Sequence, residues 1–523
     1  MTADERAGAM NGAVLGGSRT EANYDQMPYP SMPFAYSQPT RLAAMAQLFG
    51  LEAPRVSKAR VLELGCASGG NLIPMAVRSP DTFFLGIDLS QRHVEEGGRR
   101  IAQLGLRNVA IRHGDLTRAS FDKNEFDFII CHGVYSWVPR AAQDAIFRIC
   151  SESLAPNGVA AISYNVLPGW HMRRIIRDIC LFHAGQTGSP EERVAKARRG
   201  LAEIAKPLSG AGSYATLLRN EAQKMSKAAS AYILGEFLAE HNAPCYFNEF
   251  VSRAGANGLG YLCDGEVSTS LPEYLFASVA EQIRAMAHDD PLLLQQYLDF
   301  FSGRPFRRTL LVRSDRAPRA PSAIEPAKLR GLHFAANLRP DASKSSEGRF
   351  AFVDPKGGVV AATDAAMAGM LLRLAQAYPS TLRFDEVTGS TSDAALEERA
   401  LNLLLGMLGR EQAIAYALPL HVGRSDADRP TVWPQARIEA AAHQPWVTGQ
   451  HHASITTPPA IAFLAAKMDG SRTREALCAE LSAAIERGEL RKGEEKLALS
   501  AADVQQQLKA AIDYMARQAL LQA

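Results

Sequence analysis

The chain lacks several things, and each lack narrows its chemistry. Its seven cysteines (Cys66, Cys131, Cys150, Cys180, Cys245, Cys263 and Cys478) are scattered, odd in number and without a Cys-x-x-Cys pair. That argues against a disulfide framework and predicts reduced, buried thiols. There is no surplus of one charge: 57 basic against 55 acidic residues leave a net charge of +2. Nothing therefore drives the whole chain toward nucleic acid or acidic membranes. No apolar run is long enough to cross a bilayer, so no membrane insertion is expected. The opening MTADERAGAMNGAVLGG has no basic region followed by an apolar stretch, so no signal peptide is expected and the expected location is the cytoplasm. Metal ligands are also missing. His451 and His452, in GQHHAS, have no partner at a recognisable spacing and read as a loop or strand surface.

What is present is an ordinary composition, 47% hydrophobic and 21% charged, over 523 residues, more than one hydrophobic core supports. Residues 1–20 are small and polar and read as a disordered tail. An aromatic, proline-rich stretch from Tyr24 to Thr40 follows, in which four prolines forbid a regular helix or central strand. A helix is expected from Thr40 to about Leu51. From Arg60 to about Val166 strands and helices alternate, with strands at 61–64, 83–88, 109–113, 126–131 and 159–164, which predicts a doubly wound parallel sheet. Between 188 and 242 the pattern is helical, and Tyr214, Leu217, Leu218, Met225, Tyr232, Ile233 and Phe237 mark one amphipathic helix. Strand-like runs at 260–263 and 308–312 are placed at the edge of the same sheet. The charged, proline-rich 313–329 reads as a linker. Beyond it, ATDAAMAGMLLRLA from Ala362 and TTPPAIAFLAAKMDG from Thr456 are weakly alike and suggest two related helix-rich modules. GELRKGEEKLAL from Gly488 is mixed in sign and reads as a solvated helix face.

The chemistry concentrates in VLELGCASGGNLIPMA, Val61 to Ala76, and in GIDLS, Gly86 to Ser90. A strand, a glycine turn, a helix and a second strand ending on an acid build a pocket at the carboxyl edge of a parallel sheet. Gly65, Ala67 and Gly70 fit a degenerate Gly-x-Gly-x-x-Gly, but alanine in the middle slot counts against a dinucleotide. Asn71 and Leu72 stand where a P-loop needs Lys and Ser or Thr. Three acids frame the turn instead: Glu63 before it, Asp88 ending the second strand and Asp115 after the third.

This set resembles the class I S-adenosylmethionine-dependent methyltransferases. The resemblance implies a Rossmann-like sheet and S-adenosyl-L-methionine as cofactor. It implies that Glu63, Gly65, Cys66, Ala67 and Gly69 surround the methionine part, that Asp88 with Leu89 serves the ribose, and that Asp115 with Leu116 serves the adenine; Cys131, Tyr24 and Tyr29 complete the implied cofactor set. CHGVYSWVP from Cys131, ISYNVLPGW from Ile162 and YFNEFVSRAGANGLGYLCDGE from Tyr246 narrow it further. They resemble bacterial methyltransferases with a methyltransferase regulatory domain, a group that includes the rickettsial-type protein-lysine methyltransferases. On that footing the layout is an arm and helix covering the cofactor site (21–55), a core (56–187), a helical regulatory or dimerisation insertion (188–245), a segment completing the sheet and regulatory region (246–318), and a helix-rich α+β C-terminal region (319–523).

A lysine acceptor must arrive neutral, and an unperturbed amine of pKa about 10.4 is only about 0.04% neutral at pH 7. A low-dielectric, aromatic channel raises that fraction. Tyr135, Trp137 and Tyr164 are expected as pocket walls, the Tyr24–Tyr29 arm as a lid, and His132 as a base or cofactor contact. No Pro-Cys motif accompanies Cys131, and no Asn/Asp-Pro-Pro-Tyr motif follows the fourth strand, so nucleic-acid substrates are not expected. The expected function is methyl transfer to a protein lysine, and the resemblance implies a homodimer. A small-molecule methyltransferase and a silent methyltransferase-like binding protein are the alternatives.

Overall fold

Burial alternates across the sheet from the first strand onward, because successive side chains point to opposite faces. In the computed structural model, which describes residues 31–210, 212–288, 290–318, 324–492, 495–496 and 500–523, Val61 enters one apolar cluster while Leu62 and Leu64 enter the other. Strands β1 (Arg60–Leu64), β2 (Phe83–Asp88), β3 (Val109–His113), β4 (Phe126–Cys131) and β5 (Leu154–Asn165) pair in parallel; β6 (Leu259–Asp264) and β7 (Phe306–Arg313) close the sheet. The order is β3-β2-β1-β4-β5-β7-β6, with β7 antiparallel to both neighbours. The expected doubly wound, mostly parallel sheet is thus present, and the runs at 260–263 and 308–312 do complete its edge. The strand order reverses between β1 and β4, which opens a crevice at the carboxyl ends of the strands.

Helix α1 (Pro39–Leu48) starts one residue before the expected position, with a proline at its first turn where no N–H is needed. Helices α2 (Leu72–Arg78), α3 (Gln91–Gln103) and α4 (Arg140–Ser153) link the strands. Strand β5 begins at Leu154, ahead of the expected 159, and pairs with β4 from there through an irregular register.

Helices α5 (Trp170–Ala184), α6 (Pro190–Ala205), α7 (Ser213–Lys227) and α8 (Ser230–Phe237) form the insertion. The single amphipathic helix expected over 214–237 is broken at Ala228 and Ala229, both extended. An unbroken helix there would run about 36 Å. The break returns Ile233 and Phe237 to the cluster that holds Leu218, Met225 and Ile176.

The C-terminal region is not a separate bead. One apolar cluster runs from Val61 and Phe84 through Leu42 and Leu48 of α1 to Leu329, Phe334, Leu371 and Leu404. Residues 432–521 hold their own core, built by helices Pro434–Ala441, Pro459–Lys467, Arg474–Glu486 and Ala501–Arg517 with a hairpin, Val447–Thr448 against Ser454–Ile455. Within the stretch read as a solvated helix face, the described Arg491–Lys492 pairs antiparallel with Glu495–Lys496 instead. All seven cysteines are free, and five are buried. Among the described residues no helix is long and apolar enough to cross a membrane, and no group of His, Cys, Asp and Glu has metal-site geometry. Residues 1–20, Tyr24 and Tyr29 lie outside the described residues.

Candidate cofactor and acceptor site

The glycine turn is folded over the end of β2. The N–H groups of Gly65 and Cys66 both donate to the Ile87 carbonyl, at 2.8 and 3.2 Å. Gly65 and Gly69 have φ of +71° and +77°, a region only glycine enters without cost. Ala67 enters it too, at φ +46°, and is held there by donating its N–H to Asp88 Oδ2 at 2.7 Å. Asp88 Oδ1 accepts from Ser90 N at 3.0 Å. Its Oδ1 also lies 3.3 Å from His93 Nδ1. The carboxylate therefore joins the glycine turn to the start of α3, and Oδ2 keeps a lone pair for a ligand. Cys66 Sγ sits over Gly86, where an added Cβ would stand 2.5 Å away. Leu89 is exposed, its carbonyl accepting from His113 Nε2 at 2.8 Å.

Asp115 lies two residues beyond His113, the residue registered against Asp88. It is exposed, and its Oδ1 accepts from both N and Oγ1 of Thr117 at 2.9 Å, which fixes the carboxylate in its own turn. Leu116 beside it is half-buried; Cys131 is fully buried at the end of β4.

Glu63 is 3% exposed. Its Oε1 accepts from Asn71 Nδ2 at 2.7 Å, while Oε2 has no hydrogen-bond partner. Burial pushes its carboxyl up to about 8 despite the Asn71 contact, with Asp88 adding to the rise. The other end of the Asn71 amide is crowded: Oδ1 accepts from Phe34 N at 2.9 Å and from His452 Nε2 at 2.8 Å, with Ser37 Oγ at 3.2 Å. His451 and His452 are thus not on a surface as expected. They form the turn of the C-terminal hairpin, 9% and 3% exposed, buried against the start of α2. Ser31 Oγ accepts from Gly70 N at 2.7 Å, so the described part of the arm crosses the glycine turn.

On the other side of the crevice His132 follows β4. The Phe34 ring stacks on it at 3.6 Å, Phe306 of β7 meets it edge-on at 5.8 Å, and Tyr36 Oη lies 2.9 Å from its Nδ1. Burial and the nearby Arg308 guanidinium push His132 down to about 3. Tyr135 and Tyr164 are fully buried in a cluster with Phe147 and Phe250, where Tyr164 stacks on Phe250 at 3.9 Å. Trp137 is half-buried, edge-on to Trp170 at 5.8 Å.

Family comparisons agree with this geometry. Residues 61–158 match a methyltransferase domain, 229–313 a predicted methyltransferase regulatory domain, and 428–520 the PKMT C-terminal winged helix domain. The uncharacterized protein RP789 of Rickettsia prowazekii is 33% identical over 499 residues, spanning 91% of this chain and 89% of its own. The structure of PKMT2 from Rickettsia typhi in complex with AdoHcy superimposes with a TM-score of 0.82 at 26% identity, covering 94% of this chain and all of that one. The chain belongs to the rickettsial-type S-adenosylmethionine-dependent methyltransferases.

The residues of this methyltransferase fit that cofactor. The unpartnered Glu63 Oε2 is a buried acceptor suited to an ammonium, and the Asp88 carboxylate is suited to hydroxyls. No phosphate cradle is needed. Sequence reasoning on this methyltransferase passed over Asn71, His452, Phe34 and Phe306. Asn71 carried only a negative signal, the failure of a P-loop.

Proposed function

We propose that this methyltransferase transfers its methyl group to the ε-amine of a protein lysine. The observation that carries the reading is the aromatic setting of His132, with the Phe34 ring at 3.6 Å and Phe306 edge-on at 5.8 Å. Burial and Arg308 push that imidazole down to about 3, and the same surroundings disfavour the protonated form of an amine. A lysine amine is favoured there in its neutral form, its proton left to bulk water, which exposes the lone pair that attacks. When bound, S-adenosylmethionine supplies an electrophilic methyl group. The protein's own part is to align the amine, exclude water and keep it neutral. Phe34, His132, Phe306 and Trp137 form the proposed walls, with Tyr135 and Tyr164 supporting them from behind; Glu63, Gly65, Cys66, Ala67, Gly69, Asp88, Leu89, Asp115, Leu116 and Cys131 are the proposed cofactor surroundings. Tyr24 and Tyr29, outside the described residues, are proposed as further cofactor contacts.

Two further features support a protein acceptor. A cavity of about 680 Å³ between α5, α7 and α8 reaches Gly169 and Pro305, beside the end of β5 and the start of β7. The solved relative carries the name PKMT2, and the sequence resemblance is to a group that includes protein-lysine methyltransferases. Homodimerisation is supported by the outward stripe Met172, Ile175 and Phe182 on α5, which are 55%, 37% and 83% exposed. The balanced net charge supports a cytoplasmic enzyme that acts on protein rather than nucleic acid.

The test is incubation of the full-length protein with methyl-labelled S-adenosylmethionine and a lysate of its own cells, followed by hydrolysis. Label recovered as methyl-lysine supports the reading. Label confined to small molecules overturns it.

A further inference from the structure

The winged helix region turns one of its hairpins inward. The hairpin turn from Gly449 to Ala453 is closed by His452 N donating to the Gly449 carbonyl and Gly449 N to the Ala453 carbonyl, at 2.7 and 2.9 Å. Such a turn ordinarily projects into solvent. Here Gly449, His451 and His452 are buried, and the turn touches both ends of α2. At one end His452 meets Asn71; at the other, Arg78 donates to the Gln450 carbonyl at 3.2 Å. Gln38 donates to the His451 carbonyl at 3.0 Å, and His451 Nδ1 lies 2.7 Å from Tyr416 Oη.

Asn71 stands at the N-cap of α2, where an asparagine oxygen ordinarily accepts from the helix's own N–H groups. It makes no such bond. Its Nδ2 is committed to Glu63, so its oxygen must accept, and His452 must carry its proton on Nε2 to donate. His452 adopts φ +62° to make this contact, a conformation that costs a non-glycine residue energy. The Asn71 amide that holds Glu63 is thus fixed by His452 together with Phe34 N and Ser37 Oγ. Without the imidazole donor Oδ1 loses the shortest of its three contacts, and the amide is held less firmly against Glu63.

We infer that His452 is a positioning residue for the cofactor site: the winged helix region completes the S-adenosylmethionine pocket through Asn71 and Glu63. This requires only the cofactor and holds whatever the methyl acceptor is.

The test is calorimetric titration of the full-length protein with S-adenosylhomocysteine. His452→Leu keeps bulk and removes the donor, and is expected to weaken binding about tenfold. His452→Gln retains an N–H donor and is expected to bind within about threefold of the parent. Added to Asn71→Leu, His452→Leu should weaken binding no further, because both act on one chain of contacts. In turnover assays the KM for the cofactor rises while kcat at saturating cofactor is kept. The anchors through Gln38, Arg78 and Tyr416 do not involve the imidazole Nε2 of His452, so the turn stays docked in these variants. Unchanged binding in His452→Leu, equal weakening by Leu and Gln, or full additivity with Asn71→Leu would each overturn the inference. None of these readings needs an acceptor, so a failed lysine assignment leaves the test intact.

Discussion

Asp88 Oδ2 accepts the backbone N–H of Ala67 at 2.7 Å, tying the acid that ends β2 to the one non-glycine residue of the cofactor turn with a left-handed backbone. The acid thus shapes the turn of the proposed cofactor site. Asp88→Ala removes a charged acceptor from Ala67 N and from Ser90 N. Hydrogen bonds to charged groups are worth about 1.5–3 kcal/mol each, so binding of S-adenosylhomocysteine should fall by about tenfold to a hundredfold or more. Calorimetric titration checks this, and a loss below threefold would contradict the assignment.

Ala67→Gly separates strain from function. An L-residue in this region costs about 1–2 kcal/mol, more than the roughly 0.5–1 kcal/mol that glycine's freedom adds to the unfolded chain. The melting temperature should rise slightly with cofactor affinity retained, as thermal unfolding with and without ligand will show.

Gly70 tells the opposite story. An added Cβ would lie 2.2 Å from the Ser31 carbonyl oxygen, so Gly70→Ala must push the arm off the turn. A cost of about 1–3 kcal/mol is expected from such overpacking. At Gly98, in α3, a methyl group would meet nothing within 4 Å. Gly98→Ala should therefore stabilise by about 0.5–1 kcal/mol. Denaturant titration of the two variants should move in opposite directions.

Glu63 sets a pH dependence. Folded, its carboxyl titrates near 8 against an ordinary 4.5. Between those values the folded chain holds a proton that the unfolded chain has released. Its contribution is complete below 4.5 and is lost as pH rises to about 8, with a slope approaching about 1.4 kcal/mol per pH unit. Glu63→Gln should flatten that slope in the ligand-free protein, so parent and variant stability should diverge toward alkaline pH.

His132 is held neutral to about 3. The pH profile of kcat should therefore show no limb near 6.5 from this group. Tyr36→Phe removes its 2.9 Å partner and should lower kcat several-fold, about 1 kcal/mol, while the cofactor KM stays unchanged.

The sheet was legible because its signals are local. Apolar strands, a glycine turn and acids at strand ends recur within a few residues, and β1 to β4 fall where they were expected. The break between α7 and α8 was not, since periodicity continues through Ala228 and Ala229 while tertiary packing bends the chain. The three acids proposed for the cofactor were likewise picked out by position alone. His452 was invisible because its partner is 381 residues away, and a histidine pair without a local ligand pattern carries no sign of burial. Phe34, His132 and Phe306 come from three distant segments, and only the closing of β7 against β5 brings them together.

The inward hairpin also bears on how the enzyme is made. Translation adds about 5–20 residues per second, so the 381 residues separating Asn71 from His452 take roughly 20–75 s to emerge at that pace. Strands β6 and β7, which close the sheet, emerge within that interval. Asn71 then waits for its last donor until the hairpin has been made, and a product that ends before His452 lacks the contact by which the C-terminal region steadies Glu63.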